Sequence, residues 1–441
     1  MIMTNMNFYS SVKVTINGAG YYRPFFIYTG ATVQISNLIF TKGKSSSGGA
    51  IYNGGNLTIL NSSFVSNTAQ NGGAILTSGV SGSNSSLSIV NSTFSGNSAT
   101  IGGGAIYIAS GYGGTATVSI SNSTIAKNRA ATGGGIDQYG DGGSLVLLNN
   151  TISGNRATSS TLAGGGLYIS GGGAVSAVNT IIANSVSGGD CRLGTAAVGV
   201  NSNNLVEDAS CFASGTNFLS GDPKLGPLAD NGNNFGYGQT LSPASDSPVI
   251  GAGLGTICSA APMNNYDQRG YIRHANCTIG SVEYYPVQYV QNGGFESYGA
   301  TYNPQVPDDW KAVNFSPTDG KNTSVYDSGT ASVQIAGAPN KTKSLSQTIY
   351  LNRPAGDYFT FSYRVTGSSI PATGTCKAKL AFFSGTTLKG TNTIPCPTGT
   401  YGFTLQTLSF NPAWSFTKMV ITLTYGKPSG TVWFDNVSLS R

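Results

Sequence analysis

The segment at residues 57–67 reads LTILNSSFVSN, and similar segments follow at 87–97 (LSIVNSTFSGN), 118–128 (VSISNSTIAKN) and 145–155 (LVLLNNTISGN). Weaker copies surround two further asparagines. The asparagines shared by all copies are separated by steps of 24, 30, 31, 27 and 30 residues: Asn37, Asn61, Asn91, Asn122, Asn149 and Asn179. A repeat of this length is typical of one turn of a solenoid.

Each repeat reads as three short strands. Apolar and hydroxyl residues alternate before the shared asparagine, which is the period-2 pattern of a half-buried strand. A second short run follows the asparagine, and a glycine cluster such as residues 102–104 leads into a third. The sequence therefore predicts an all-β fold, in which three strands per coil build a parallel β-helix over residues 1–220.

The shared asparagines are expected at a corner of each coil, because asparagine tolerates the left-handed backbone that a sharp turn requires. Stacked amides can also hydrogen-bond from coil to coil. We therefore predict that all six are structural anchors. This role explains sequons such as the one at Asn61 without glycosylation.

Charge is scarce in this chain. Only 9% of the 441 residues are charged and 62 are glycine, and such a composition disfavours helices. The net charge is +6, but the 23 basic residues are scattered, which argues against nucleic acid as a partner. No apolar run is long enough for a membrane-spanning helix, so we expect no membrane insertion.

Six cysteines occur as three consecutive pairs with spacings of 20, 19 and 20 residues: Cys191/Cys211, Cys258/Cys277 and Cys376/Cys396. Six cysteines allow fifteen connectivities, of which sequential pairing is the simplest. Disulfides imply an oxidising compartment, so we expect an extracellular or cell-surface protein. Residues 1–11 lack the features of a secretory signal, so we expect that the signal was removed or that this start lies inside a longer gene product.

The repeats resemble those of polymorphic-outer-membrane-protein-type and pectate-lyase-like proteins, which implies a right-handed β-helix over about residues 12–220. The next segment, residues 221–287, is similar to the tail of choice-of-anchor-type β-helix surface proteins. It contains GDPKLGPL at 221–228 and DQRG at 267–270. We interpret this tail as a cap, because an open solenoid end exposes apolar side chains and strand edges.

A different module begins near residue 288. Its opening, NGGFE at 292–296, and its end, FDNVSL at 434–439, resemble the first and last strands of jelly-roll carbohydrate-binding modules. Alternating runs such as YFTFSYRV at 358–365 lie between them, as a sandwich requires. We therefore predict a jelly-roll β-sandwich over residues 288–441.

The resemblance to carbohydrate-binding modules implies two kinds of site. Acidic residues near the first and last strands of that family help to bind a structural calcium ion, and Glu296 and Asp435 match those positions. Sugar binding requires exposed aromatic rings on which pyranose C–H groups pack. Trp433 in the closing strand is expected in the core, and the candidates for sugar binding are Trp310, Trp414, Tyr298, Tyr302 and Tyr401.

The pectate-lyase-like resemblance also raises an enzyme hypothesis, which the residues support poorly. Residues 1–136 contain no Asp or Glu, and Asp137 and Asp141 are the only carboxylates on the coils before Asp190. Lyases and hydrolases of this shape need clustered carboxylates. We expect these two carboxylates in a solvated turn, with a small polysaccharide lyase or hydrolase site as the alternative.

The remaining residues that could act in catalysis or metal binding do not form a recognisable motif. The single histidine, His274, has no serine or cysteine motif as a triad partner and is expected at the surface of the cap. Asp267 and Arg269 are expected to form an ion pair or a turn that locks the cap. No zinc spacing or phosphate loop occurs.

These features predict a non-catalytic extracellular structural or adhesive protein whose β-helix displays the sandwich. A stronger form is self-association into a fibre, in which the strand edge at residues 12–16 receives a strand from a neighbour. The alternative is a glycan-binding component of a polysaccharide-degrading system.

Overall fold

The structure is a computed structural model, and it describes residues 1–80, 82–159, 163–232, 238–285, 288–299, 304–353, 357 and 359–440. The chain divides into two compact units, residues 1–284 and 285–441. No helix among the described residues is long and apolar enough to cross a membrane.

The described part of the first unit contains one five-residue helix, α1 (Gly255–Ser259), and the following strands: β1 (Met6–Asn17), β2 (Phe25–Ile27), β3 (Thr32–Thr41), β4 (Ile51–Asn53), β5 (Asn56–Leu60), β6 (Ser63–Val65), β7 (Thr68–Asn71), β8 (Ile75–Val80), β9 (Ser85–Val90), β10 (Thr93–Ser95), β11 (Ser98–Gly102), β12 (Ile106–Gly111), β13 (Ala116–Ser121), β14 (Thr124–Ala126), β15 (Arg129–Ala130), β16 (Ile136–Tyr139), β17 (Ser144–Leu148), β18 (Thr151–Ser153), β19 (Arg156–Ala157), β20 (Leu167–Ser170), β21 (Ala174–Val178), β22 (Ile181–Ala183), β23 (Cys191–Leu193), β24 (Ala197–Ser202) and β25 (Leu205–Val206).

These strands form three parallel sheets, which confirms the predicted parallel β-helix. One sheet has the order β2-β4-β8-β12-β16-β20-β23. A fourteen-stranded sheet bends at the shared asparagines, so that β5 and β6, for example, lie on either side of Asn61. The predicted three strands of each coil are present. Four coils add a short fourth strand on the glycine-rich side, and these strands pair in the order β19-β15-β11-β7.

Apolar side chains fill the coils in columns. Phe40, Phe64 and Phe94 stack with ring centroids 4.9 and 4.7 Å apart and with ring planes at 4° and 2°. Ile125 and Ile152 occupy the same register position in the next two coils. All five side chains are fully buried, so equivalent residues of successive coils pack on one another, as expected of a repeat fold.

The shared asparagines all adopt left-handed backbone angles, with φ between 48° and 61°. Their side chains do not continue as one amide column. Asn91 Nδ2 donates to Asn61 Oδ1 at 3.2 Å, whereas Asn122 donates to Tyr266 O and Asn179 donates to Leu254 O. The tail packs on this corner and supplies acceptors that compete with the next coil.

The continuous amide column lies six residues further along each repeat. Asn67 Nδ2 donates to Asn97 Oδ1 at 2.9 Å, Asn97 donates to Asn128 at 2.9 Å, and Asn128 donates to Asn155 at 3.0 Å. Each amide also serves the backbone, as when Asn97 Nδ2 donates to Phe64 O at 2.9 Å. These side chains are at most 1% exposed, so the column satisfies polar groups that water cannot reach.

The tail lies along the side of the coils and is not confined to the open end, where the cap was predicted. Gln268 Nε2 donates to Thr93 Oγ1 at 2.8 Å, and Thr124 Oγ1 donates to Gln268 Oε1 at 2.6 Å. Ser281 N donates to Thr151 Oγ1 at 3.0 Å. The three threonines share one register position in successive coils, so the tail spans several coils.

The described strands of the second unit are β26 (Lys311–Val313), β27 (Gly320–Asn322), β28 (Ser332–Ala336), β29 (Lys343–Arg353), β30 (Phe359–Ile370), β31 (Thr375–Ser384), β32 (Thr387–Pro395), β33 (Gly399–Phe410), β34 (Phe416–Gly426) and β35 (Thr431–Ser440). They form two five-stranded antiparallel sheets with the orders β26-β29-β34-β31-β32 and β27-β28-β35-β30-β33. Both sheets contribute buried side chains to one core, such as Phe361 and Ile421. The predicted jelly-roll sandwich is confirmed.

Three disulfides join the cysteines sequentially. Cys191–Cys211 and Cys258–Cys277 lie in the first unit, and Cys376–Cys396 lies in the second. Cys211 precedes Phe212, whose buried ring belongs to the core of the coils. The first disulfide therefore fastens the segment that packs Phe212 against that core.

Candidate functional site

The outer face of the sheet β27-β28-β35-β30-β33 carries a partly exposed tryptophan. In β35 the side chains of Val432 and Phe434 are fully buried, so the intervening Trp433 points to the opposite face. The expectation that Trp433 lies in the core is therefore wrong. Buried and partly exposed side chains alternate along β35, and this alternation in the sequence could have predicted the outward position of Trp433.

Two amide side chains hold the indole. Trp433 Nε1 donates to Gln334 Oε1 at 2.9 Å, and Asn322 Nδ2 donates to the same oxygen at 2.7 Å. Gln334 Nε2 donates in turn to Thr318 O at 2.8 Å. These hydrogen bonds fix the orientation of the ring while it remains partly open to solvent.

The neighbouring strands β30 and β33 add a cation and an apolar side chain to the same face. Arg364 of β30 lies opposite Leu405 of β33, which is 53% exposed. Arg364 Nε is 3.6 Å from Asp327 Oδ2, and the arginine side chain is 40% exposed. We call the surface formed by Trp433, Gln334, Asn322 and Arg364 the Trp433 face.

Two of the predicted aromatic candidates pack in or against the core of the sandwich. Trp310 is 7% exposed, its ring centroid is 5.3 Å from that of Phe295, and its Nε1 donates to Gln291 O at 3.2 Å. A cavity of about 410 Å³, lined by Gly299 and residues 304–310, borders this tryptophan. Tyr401 packs against the core cluster, and burial raises the pKa of its hydroxyl to about 12. The sequence pattern did not distinguish these packing residues from exposed ones.

Tyr298 and Trp414 remain at least partly exposed. Tyr298 Oη donates to Ser332 O at 2.9 Å, and Lys321 Nζ lies 5.0 Å from its ring centroid. Trp414 is 46% exposed, and a Cβ at Gly390 would come within 2.3 Å of its indole. The Trp414 ring therefore lies against the backbone of β32. Tyr302 falls outside the described residues.

Glu296 and Asp435, the predicted calcium ligands, fasten the loop between β27 and β28. Glu296 Oε2 accepts hydrogen bonds from Thr330 N at 3.0 Å and Thr330 Oγ1 at 2.7 Å. Asp435 is fully buried and accepts from Asp327 N at 2.8 Å and Ser328 N at 3.2 Å. Burial raises the pKa of Asp435. Burial also acts to raise the pKa of Glu296, but hydrogen bonds from Thr330 and Ala331, together with the charge of Lys321, outweigh this effect and lower that pKa.

This arrangement does not fit a calcium ion as it stands. The carboxylate oxygens face N–H and O–H donors, whereas Ca²⁺ takes about six to eight oxygen ligands. Among the described residues, no three Asp, Glu, His or Cys side chains come together as metal ligands. Calcium at Glu296 and Asp435 stays a prediction, and binding there would require the carboxylates to leave these donors.

Asp137 and Asp141 have different surroundings. Asp137 lies within β16, is 2% exposed and interacts with the hydroxyl of Thr132, so the expectation of a solvated turn is wrong for this residue. Burial raises the pKa of Asp137 to about 7. Asp141 is exposed, and its Oδ1 accepts from Gly172 N at 2.6 Å. The two carboxylates share no partner in these contacts, so this geometry does not support a carboxylate pair of the lyase or hydrolase kind.

The tail contains buried charges that serve the fold. Arg269 and Asp267 form the expected ion pair, with Nη2 and Oδ2 2.7 Å apart. Glu283 lies 3.8 Å from Arg273 and 3.3 Å from His274. The His274 side chain is 56% exposed, which places it at the surface of the tail, as expected.

Several solved structures are similar to this chain. "Family 16 Carbohydrate Binding Module-2" has 14% identity and a TM-score of 0.24, and the match covers 28% of this chain and 85% of that one. TmCBM61 in complex with β-1,4-galactotriose has 17% identity and a TM-score of 0.26, covering 35% and 98%. The Stig cyclase Fisc from Fischerella sp. TAU has 16% identity and a TM-score of 0.27, also covering 35% and 98%.

One segment of the solenoid resembles a known repeat family. No curated protein shows significant similarity to the chain. Residues 91–109 match the Chlamydia polymorphic membrane protein repeat. This segment runs from the anchor Asn91 through β10 and β11 into β12. The solenoid therefore carries a repeat similar to that of the Chlamydia polymorphic membrane proteins, as its sequence predicted.

Proposed function

We propose that this protein is a non-catalytic surface protein that binds a glycan through the Trp433 face. The observation that carries the proposal is the partly exposed indole of Trp433, whose N–H is already bonded to Gln334. Pyranose C–H groups pack on aromatic rings, and neighbouring amide and guanidinium groups hydrogen-bond the sugar hydroxyls. A ring that is already oriented loses little conformational freedom when the ligand binds.

The solenoid supports this role as a scaffold. Its coils are joined by parallel ladders and by the buried Asn67–Asn155 column, and such stacking favours a rigid display element. Three disulfides favour an oxidising environment. Together with the match to a polymorphic membrane protein repeat, they fit an extracellular or cell-surface location.

Affinity electrophoresis of the full chain tests the glycan proposal. We expect retarded migration in gels that contain one or more of β-glucan, xylan and β-1,4-galactan. Trp433→Ala should abolish the retardation, because it removes the stacking surface. Trp414→Ala is the matched control, since it truncates another partly exposed tryptophan, and it should migrate as the wild type does.

Two results would contradict the proposal. Retardation lost in Trp414→Ala and kept in Trp433→Ala would move the site to Trp414, in the loop between β33 and β34. Migration of the wild type unaffected by all three polysaccharides would leave the Trp433 face without the proposed ligand class. Circular dichroism of each variant verifies that a loss of binding is not a loss of fold.

The fibre hypothesis stays a prediction, and one feature favours it. Strand β1 pairs with β3, and much of β1 is solvent-exposed, including Tyr9 at 80% and Val12 at 65%. An exposed strand edge can accept a strand from another chain. Negative-stain electron microscopy should then show regular filaments at high protein concentration, and dispersed single particles would contradict the hypothesis.

A further inference from the structure

The side chain of Asp137 points to the outer face of its sheet and is nevertheless buried. Its neighbour Ile136 points into the core, so the pleat of β16 directs Asp137 to the outer face of the sheet. It is nevertheless 2% exposed. A Cβ added at Gly102 would come within 2.5 Å of Asp137 Oδ2, and one at Gly133 within 2.6 Å of Asp137 Cβ. The glycine-rich corners of two coils therefore close over this carboxyl group.

The groups that face Asp137 are neutral. Tyr107 of β12 and Tyr168 of β20 are its register partners on the two sides. Burial, and then the charge of Asp137, raise the pKa of Tyr107, so this tyrosine keeps its proton. The arginines of the adjoining sheet, Arg129 and Arg156, are exposed. None of the ion pairs found among the described residues includes Asp137, and a buried carboxylate without a cation is strongly disfavoured.

The hydrogen-bond geometry is compatible with a protonated carboxyl. Thr132 Oγ1 is within hydrogen-bond distance of Asp137 Oδ2 and 3.3 Å from Ile101 O. A hydroxyl has one hydrogen, so Thr132 can donate to Ile101 O and accept from Asp137 only if Asp137 carries a proton. In that state both contacts of the hydroxyl are satisfied, and they add to the backbone hydrogen bond from Thr132 N to Ile101 O at 2.9 Å, which joins the same two corners.

We propose that Asp137 is a pH-sensitive latch of the solenoid, which closes the corners at residues 101–103 and 131–133 when it is protonated and loosens them when it ionises. After loss of the proton, the Thr132 hydroxyl can donate to Asp137 Oδ2 only by giving up Ile101 O, and a buried charge that faces two tyrosines remains. The corners then open more readily, which admits water to Asp137.

The direction of the pH dependence follows from the two protonation equilibria. The folded pKa is about 7, against an ordinary value of 3.8. An acid whose pKa is raised by folding stabilises the folded state fully at pH values below both pKa values. The contribution of Asp137 to stability declines as the pH rises from the ordinary pKa of 3.8 to the folded pKa of about 7. It stays low above pH 7. Linkage gives an increase of about 30-fold in the opening equilibrium between pH 5.5 and pH 8.5.

Hydrogen–deuterium exchange of the full chain at these two pH values tests the latch. After correction for intrinsic exchange, peptides that cover residues 129–139 should open about 30-fold more often at pH 8.5. Peptides that contain Asn67 are the internal control and should not change. Asp137→Asn should abolish the pH dependence of residues 129–139. Asp141→Asn, at an exposed turn, should keep it.

Either of two outcomes would overturn the proposal. Equal corrected opening of residues 129–139 at both pH values in the wild type would show that Asp137 does not titrate in this interval. A pH dependence that persists in a folded Asp137→Asn variant would assign it to another group. If that variant fails to fold, the comparison of the wild type at the two pH values decides alone.

Discussion

The solenoid and the sandwich satisfy their buried polar groups in different ways. In the solenoid, Asn97 bonds to asparagines at the same position of the coils on both sides. In the sandwich, Lys343 Nζ bonds to Asp319 Oδ2 at 2.7 Å and to Ser316 Oγ at 3.0 Å, and these partners are 24 and 27 residues away. The solenoid therefore repeats one solution in four successive coils, whereas the sandwich depends on a pairing that occurs at one place.

Buried carboxylates sharpen the comparison. Burial acts to raise the pKa of Asp319, but hydrogen bonds from Lys343, Ser316 and Ala336 outweigh it and lower this pKa. Asp137 has no such cation, and its pKa is raised. The contribution of Asp319 is therefore lost as the pH falls through its folded pKa, and that of Asp137 is lost as the pH rises. The two units respond to pH in opposite directions at these residues.

The largest effect is expected when the single pairing in the sandwich is broken. Lys343→Met leaves Asp319 buried without its cation, and removal of one partner of a buried ion pair destabilises a fold by about 3–5 kcal/mol. Lys341→Met is the control, because Lys341 is exposed and should change stability by less than about 0.5 kcal/mol. Urea denaturation monitored by circular dichroism measures both. Equal stability of the two variants would contradict the role of this pair.

A smaller effect is expected in the amide column of the solenoid. Asn97→Ala leaves Asn67 N and Phe64 O without their partner, and such losses sum to about 3 kcal/mol. Asn91→Gly is the control, since glycine accepts the left-handed angle of this corner and should cost less than about 1 kcal/mol. Thermal unfolding compares the two. Greater destabilisation by Asn91→Gly would transfer the structural role from the column to the corner.

The smallest expected effect is that of calcium on the loop held by Glu296 and Asp435. If Ca²⁺ displaces the N–H and O–H donors that now face Glu296 and Asp435, a dissociation constant of about 0.1–1 mM, as in extracellular modules, gives a stabilisation of about 1–3 kcal/mol in 10 mM CaCl₂. Glu296→Gln should remove this gain. Thermal midpoints in CaCl₂ and in EGTA provide the measurement. Identical midpoints would indicate that the two carboxylates serve the loop without a metal.

The solenoid was largely predictable because its repeat makes each position informative several times. The shared asparagines, the parallel sheets and the stacked apolar columns follow from the period. The role of Asn67 and its equivalents was missed although the repeat contains them, because the corner asparagine explained the pattern first. The path of the tail could not be predicted, since it depends on contacts between residues far apart in the chain. The burial of Asp137 could not be predicted either, since it depends on how closely the glycine-rich corners of two coils approach its side chain.

The sandwich was predictable in its strands and not in its site. Alternation marks the buried side chains of β30 and β35, and the same alternation places Trp433 on the outer face. The hydrogen bond between Trp433 and Gln334 joins residues 99 positions apart, and no local pattern reports such a contact. The burial of Trp310 could not be predicted either, because it depends on packing against Phe295 and on a hydrogen bond to the backbone of Gln291.

Tryptophan fluorescence with single-tryptophan variants tests the central claim most directly. The variant Trp310→Phe/Trp414→Phe retains Trp433 as its tryptophan, and Trp310→Phe/Trp433→Phe retains Trp414. Titration with the polysaccharide that retards the wild type should change the emission of the Trp433 variant and leave that of the Trp414 variant unchanged. An emission change confined to the Trp414 variant would contradict glycan binding at the Trp433 face.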